Sequence, residues 1–226
     1  EPLRLAARNA VDAAAALIVG NQSVTDRIWR LFPEREVDWG IKQSIVSVGV
    51  DPALFSPVEP EDRAAAITRL KVELLSYSGT GARKPDSDLG DKLASTDWEK
   101  ARVVLYAGKL LSGKGVADLI RAMPAVFSRI PEAELYIVGE GPDRPNLEEL
   151  AVSFGSKIKS RIKFTGYLPH SLYKQLLPCA HAAAFPSLVA EAYPLVLMEA
   201  MSAGVIPAAS YFEGLADGLD EIAAKL

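Results

Sequence analysis

Glu191 and Glu199 bracket a stretch that otherwise belongs in a protein core, EAYPLVLMEAMSAG at residues 191–204. Pro194 suits the first turn of a helix, where its missing N–H costs nothing, and Gly204 suits the position just past the end. The stretch predicts a helix from about Pro194 to Ala203, with its leucines and methionines packed inward. Glu199 falls about one and a half turns into it. Burying an unpaired carboxylate is costly, so an apolar helix keeps one when a partner is at hand. The free N–H groups and positive dipole end of the helix start form an anion site. A hydroxyl-rich ligand beside that anion is one such partner, by the same physics as the acidic residue that grips a ribose in dinucleotide folds. From the residues alone, exposure to solvent or a pairing with lysine carries equal weight.

Three glycine-bearing loops could complete such a site. AGKLLSGKG (107–115) ends a strand and opens a helix. Its glycines, Gly108 among them, let a phosphate approach the backbone, and Lys109 and Lys114 would neutralise a diphosphate as point charges. Gly115 stands where a P-loop needs Ser or Thr, so it is not that motif; two loop lysines are more often simply solvated. In VGEGPDRPNLEEL (138–150), Gly139 and Glu140 could line a crevice, while Asp143 and Arg144 read as a tight strand-to-helix turn. In FTGYLPHSLYKQLL (164–177), Tyr167 and Leu168 could offer backbone hydrogen bonds and an apolar wall to a nucleobase. His170 reads as a helix-start residue and His181 as part of a strand. The run SKIKSRIK (156–163) reads as a solvated basic edge.

The elements that must position these groups follow from periodicity. Strand patterns at 101–108, 133–139, 161–166, 180–187 and 205–210 alternate with helical ones at 115–130, 146–154, 170–178 and 215–226. Pro124 lies inside the first of these helical patterns, 115–130, and predicts a kink there. Alternation of this kind predicts an α/β fold, a Rossmann-like doubly wound parallel sheet. Ligands bind such sheets beyond the carboxyl ends of the strands, which selects the loops after Gly108, Gly139, Gly166 and Ser187. Upstream, 15–20 and 43–51 read as strands, 23–32 as a helix capped by Ser23, 52–62 as a proline-rich linker, and 76–100 as a polar, turn-rich mobile loop. The expected division is 1–58, 59–100 and 101–226.

Composition narrows the class. The chain has 226 residues, 49% hydrophobic and 24% charged, with a net charge of −4 and a single cysteine, Cys179. That charge gives no reason to expect a nucleic-acid partner. One cysteine permits no internal disulfide and no multi-cysteine zinc site. No apolar run approaches the ~18 residues of a membrane span. No G-x-G-x-x-G follows a strand, which disfavours a plain NAD-binding domain. Both ends fall inside helical patterns, as expected of a piece of a longer protein.

Taken in order, YAGKLLSGKG, AELYIVGEGP, IKFTGYLP and FPSLVAEAYPLVLMEAMSAGVIPAAS resemble the carboxy-terminal donor domain of retaining GT-B glycosyltransferases, the large group 1 (family 4) class. AALIVGNQSVTDRIW and VSVGVDPALFSP resemble the end of that family's amino-terminal acceptor domain and the hinge after it. Glu191 and Glu199, with seven residues between, match the family's pair of glutamates. The resemblance implies transfer of a sugar from a nucleotide-diphosphate donor, with retention and without metal or other cofactor. It implies that Glu191 contacts the transferred sugar and that N–H groups from Tyr193 through Leu195 and Val196 meet the phosphates, Pro194 excepted. Glu199 would hold the ribose, Lys109 and Lys114 would stabilise the departing diphosphate, and the Tyr167–Leu168 loop would lie against the base. The family usually carries Arg where Lys109 stands, and Lys loses the bidentate fork. A carbohydrate, lipid or small-molecule acceptor, a cytoplasmic setting, peripheral membrane contact of the longer protein and inactivity of the isolated piece are further expectations. A nucleotide-sugar 2-epimerase or a non-catalytic nucleotide-sugar binding module would share the plan.

Overall fold

The computed structural model describes residues 2–20, 22–46, 49–78, 83–189, 195–211, 215–216 and 220. The chain divides into two units, one comprising the described residues up to Gly49 together with Leu195 and those from Tyr211 onward, the other residues 50–189 and 196–210.

The first unit holds α1 (Pro2–Ala13), β1 (Leu17–Val19), α2 (Gln22–Leu31), α3 (Glu36–Gly40) and β2 (Gln43–Ile45). β1 and β2 pair in parallel, Leu17 opposite Gln43. Lys42 caps the end of α1, donating to the carbonyls of Val11 at 2.6 Å and Ala14 at 2.8 Å, which satisfies acceptors that a helix end leaves open. Trp39, 1% exposed, donates its indole N–H to Asp12 at 2.8 Å. β2 is shorter than the 43–51 pattern, of which residues 47 and 48 lie outside the described set.

The second unit runs through α4 (Arg63–Ser76), α5 (Leu89–Ala94), β3 (Arg102–Ala107), α6 (Val116–Arg129), β4 (Ala133–Val138), α7 (Arg144–Ser153), α8 (Ser156–Lys159), β5 (Ile162–Gly166), α9 (His170–Leu176), β6 (Ala182–Phe185), α10 (Leu195–Ser202) and β7 (Ile206–Ala209). Five parallel strands lie in the order β5-β4-β3-β6-β7, so the sheet reverses direction of growth at β3. This is the doubly wound sheet that the alternating pattern predicts, with its switch point between β3 and β6. Leu135, Tyr136, Ile137 and Val138 of β4 are all buried, as both faces of such a sheet are covered by helices. On α6, Val116, Ile120, Met123 and Phe127 recur at helical spacing and pack into the core with Leu135, Ile137 and Phe164. α6 continues through Pro124 to Arg129.

Two stretches differ from expectation. Within 76–100, residues 83–100 are packed rather than loose. Leu89 and Leu93 are fully buried, and Trp98 packs at a tilt against Tyr136 with ring centroids 5.5 Å apart. A single i, i+4 pair, Leu89 and Leu93, and Trp98 beyond it are too little signal among many polar residues, yet each fills a core position. The run 156–163 is only partly a solvated edge: Lys157 and Lys159 are exposed, but Lys163 sits in β5 at 6% exposure. Its ammonium pairs with Glu134 at 2.7 Å and donates to Ser95 at 2.9 Å, which compensates the burial. Among the described residues, no helix is long and apolar enough to cross a membrane. The helical pattern expected at 215–226 lies largely outside the described residues.

Candidate functional site

A cleft of about 730 Å³ lies at the carboxyl ends of β3, β4 and β5 and along one side of α10. Its floor is made by two loops pressed together. Gly139, with φ 140°, packs so closely that a Cβ would lie 1.9 Å from the Gly108 carbonyl oxygen. A Cβ on Gly141 would lie 2.2 Å from the Leu110 oxygen. Backbone bonds lock this approach, Gly108 N–H to Val138 at 3.0 Å and Leu110 N–H to Glu140 at 3.0 Å. Glycine is required here because two backbones occupy the space of one side chain.

The sequence-predicted residues gather unevenly. Gly108, Lys109, Gly139, Glu140, Tyr167 and Leu168 line the cleft, and Val196 and Glu199 line it from α10. Lys109 is exposed at the rim, and its carbonyl accepts the Tyr106 hydroxyl at 2.9 Å. Lys114 is not among the lining residues. It ends a 3-10 turn, Ser112–Lys114, followed by Gly115 in the left-handed conformation with φ 67°. That loop is pinned to the exit of β6: Leu188 N–H donates to Gly113 at 2.8 Å, and a Cβ on Gly115 would lie 1.9 Å from the Pro186 oxygen. Leu195 opens α10 and is exposed, without lining the cleft. Glu191 and Tyr193, with the expected helix start at Pro194, lie outside the described residues. The far end of α10 matches its pattern. Val205 N–H bonds to Ala200 at 2.9 Å and Gly204 N–H to Met201 at 3.0 Å, with Gly204 left-handed at φ 71°, a closure that satisfies the last carbonyls.

Two charge clusters face this cleft. Arg144, at the start of α7, takes both Asp86 oxygens at 2.8 and 2.6 Å, Glu148 at 2.8 Å, and Glu140. Its hydrogen bonds to Asp86 raise its pKa further against the opposing effect of burial. Burial pushes Asp86 up, but Arg144 and Lys92, the latter at 2.8 Å, together hold its carboxyl below the ordinary value. Arg144 is therefore an ionic hub and more than a turn residue, and it neutralises Glu140 in the cleft wall. Asp86 in turn anchors a strap across the end of β5: Asp86 N–H donates to Thr165 at 2.8 Å and Tyr167 N–H to Lys84 at 3.1 Å. The strap brings Arg83 to the cleft.

The second cluster surrounds Glu199. Its side chain is 12% exposed, and the His170 ring stands beside it, Nε2 to Oε1 at 3.6 Å. Burial raises the Glu199 pKa, with His170 and then Tyr173 opposing. Tyr173 is 6% exposed, lines the cleft, and has a buried hydroxyl without a hydrogen-bond partner. Burial, then the Glu199 charge, raises its own pKa. The hydrogen-bonding pull of the same carboxylate adds to that rise, although no contact of the phenol oxygen reaches ordinary hydrogen-bond geometry.

Arg83, His170 and Tyr173 were not among the residues predicted for the site. A signal existed for two of them: His170 and Tyr173 are three apart at the start of the helix that follows the Tyr167–Leu168 loop, which puts them on one face. Nothing near Arg83 marked it. His181 lies elsewhere, immediately before β6. Its Nε2 is 2.6 Å from Arg63 and 3.1 Å from Arg102, and burial followed by those two cations pushes its pKa down to about 4.

Comparison with known proteins follows the same outline. The family model described as glycosyl transferases group 1 matches residues 101–225, more than half of the chain. A GDP-mannose-dependent monoacylated alpha-(1-6)-phosphatidylinositol monomannoside mannosyltransferase of Corynebacterium glutamicum is 31% identical over 163 residues, 70% of this chain and 35% of that one. The D-inositol 3-phosphate glycosyltransferase of the same species is 29% identical over 221 residues, 95% of this chain and 45% of that one. The chain spans less than half the length of these curated relatives. Among solved structures, Anabaena Alr3699/HepE in complex with UDP and glucose superposes with TM-score 0.67 at 20% identity, covering 95% of this chain and 49% of that one. Sucrose-phosphate synthase of Thermosynechococcus elongatus gives 0.65 at 22% identity, covering 94% and 44%. At such identities these likenesses speak to the fold.

Proposed function

The chain belongs to the group 1 glycosyl transferases, and we propose that its cleft binds the donor, a nucleotide-diphosphate sugar, for transfer of the sugar to an acceptor with retention and without a metal ion. The observation that carries this reading is the gathering of Lys109, Glu199 and the Tyr167–Leu168 loop around one cleft at the carboxyl edge of the sheet. β5 lies two strands from β3, about 10 Å at roughly 4.8 Å per strand. That span lets a diphosphate sit near Lys109, a ribose near Glu199 and a base near Tyr167.

The chemistry follows from charge. Heterolysis of the bond from the anomeric carbon to the diphosphate sends the electron pair to the leaving oxygen and leaves an oxocarbenium-like sugar. The acceptor oxygen then bonds to that carbon on the face the diphosphate left, and its proton passes to the departing phosphate oxygen. Fixed cations aimed at the growing phosphate charge stabilise this transition state. Lys109 supplies one, and the loop holding Lys114 a second. Glu191 and the N–H groups of Tyr193, Leu195 and Val196 take the sugar and phosphate contacts in this reading. The acceptor is a carbohydrate, lipid or small molecule. The setting is the cytoplasm, a reducing compartment that suits the single buried thiol of Cys179.

Calorimetric titration of the chain with UDP, GDP and ADP, and with their sugar conjugates, tests the reading. Binding of at least one nucleotide is expected, weakened about tenfold or more by Glu199→Ala. Binding of NAD with no response to any nucleotide sugar would overturn it.

A further inference from the structure

The group around Glu199 is larger than a lone carboxylate needs. Tyr173 and His170 sit on one face of α9, and Phe55, 2% exposed, wedges edge-on against both rings, with centroids 5.1 Å from His170 and 6.1 Å from Tyr173. Both side chains are therefore held in place before any ligand arrives. The Tyr173 hydroxyl is the unusual element. It lies in the cleft wall, is buried, and is left without a hydrogen-bond partner, although buried hydroxyls are nearly always satisfied. The His170 nitrogen stands 3.6 Å from the Glu199 oxygen, beyond hydrogen-bonding length but close enough for one hydroxyl to lie between them.

A ribose presents two adjacent hydroxyls, each of which donates one proton and accepts through its oxygen. An ionised carboxylate only accepts. Glu199 alone therefore satisfies the two protons and leaves both oxygens without donors. The phenol and the imidazole are the donors that complete the match.

We propose that Tyr173 and His170, with Glu199, form a diol seat in which the phenol and imidazole donate to the ribose hydroxyl oxygens while the carboxylate accepts their protons, making both residues determinants of selectivity for ribonucleotides over deoxyribonucleotides. The inference rests on the reading of the cleft as a nucleotide site. A site built to hydrogen-bond a hydroxyl rejects the analogue lacking it, because its own polar groups are then left unpaired.

The test compares affinities of the chain for UDP, GDP and ADP with those for their 2′-deoxy and 3′-deoxy counterparts, in wild type, Tyr173→Phe, His170→Ala and Lys109→Ala. Wild type is expected to prefer the ribonucleotide, and Tyr173→Phe to cut that preference by about tenfold, the worth of one hydrogen bond. His170→Ala is expected to cut it by roughly threefold. Lys109→Ala weakens ribo and deoxy forms alike and leaves the ratio intact. Tyr173→Phe should melt no lower than wild type, since it removes an unsatisfied group; if it fails to fold, the exposed His170 variant decides by the same ratio. An unchanged ratio in both variants, with nucleotide still bound, overturns the diol seat and leaves the nucleotide reading standing. Failure of wild type to bind any nucleotide overturns both.

Discussion

Arg144, which reaches the cleft through its partner Glu140, and Glu199, which lines the cleft itself, are both charges withdrawn from water, and they are treated in opposite ways. Arg144 is met by three carboxylates, two of them at 2.6 to 2.8 Å. Glu199 has a histidine at 3.6 Å and a phenol that does not bond to it. The first arrangement is complete without a ligand and holds the strap at 83–86 against β5. The second is incomplete without one. A satisfied buried charge does the work of structure, whereas an under-satisfied one in a cleft wall marks where chemistry or binding happens.

The contrast can be broken at either end. Arg144→Met should have the largest effect, because removing one partner of a part-buried network strands the others; a loss on the order of 3 kcal/mol is expected, read as a lowered urea midpoint. Nucleotide affinity of the folded variant should change by less than the Glu199 variant's. Glu199→Gln should do the reverse, with stability unchanged or raised and nucleotide affinity lowered about tenfold, measured by melting and calorimetry on the same samples. A fall in stability comparable to that of Arg144→Met would erase the distinction.

The effects of pH carry the same signature. Burial raises the Glu199 pKa, so the folded protein holds this proton at higher pH than the unfolded chain does. The contribution to stability is present below the unfolded value and is lost as pH rises through the folded one. Binding has the opposite sign: affinity should fall as pH drops through that raised pKa, and the fall should vanish in Glu199→Gln. Lys109→Ala should leave the melting temperature unaltered, since the lysine is exposed, while weakening nucleotide diphosphates by several-fold and flattening the salt dependence of binding. The smallest effect is expected at His181, whose pKa is depressed to about 4. Between its unfolded value near 6.5 and that depressed value, the unfolded chain takes the proton and the folded one does not, so stability falls as pH falls. His181→Gln should shallow that slope, and the ring resonances in NMR should report a neutral imidazole down to about pH 4.

The residues that were legible are those whose role is local. The pattern of ARVVLYAG or AELYIVG tells a buried strand because burial on both faces demands apolar residues throughout. Gly204 stops α10 because the left-handed turn lies within five residues of the carbonyls it satisfies. The loops at Gly108 and Gly139 could be placed at one sheet edge because a parallel sheet puts every carboxyl end on the same side. The packed segment at 83–100 was not legible, since one i, i+4 pair, Leu89 and Leu93, is too short a signal among polar residues and Trp98 finds its ring partner, Tyr136, far away in the chain. Lys163 read as one more surface cation because its partner, Glu134, lies on the neighbouring strand. Arg144 read as a turn residue for the same reason, its main partner being 58 residues away.

By itself, the sequence determined the order along the chain of the five strands of the sheet, the edge that carries the cleft, and the candidacy of Lys109, Tyr167, Leu168 and Glu199. Those follow from backbone periodicity and from glycine and proline chemistry, which act over a few residues. The tertiary structure alone decided which charges are neutralised and which are left open. Arg144 is saturated by Asp86, Glu140 and Glu148, while Tyr173 and His170 stand beside Glu199 without closing on it. Charge and hydrogen bonding act through space, between residues that neighbour one another only after the sheet has formed.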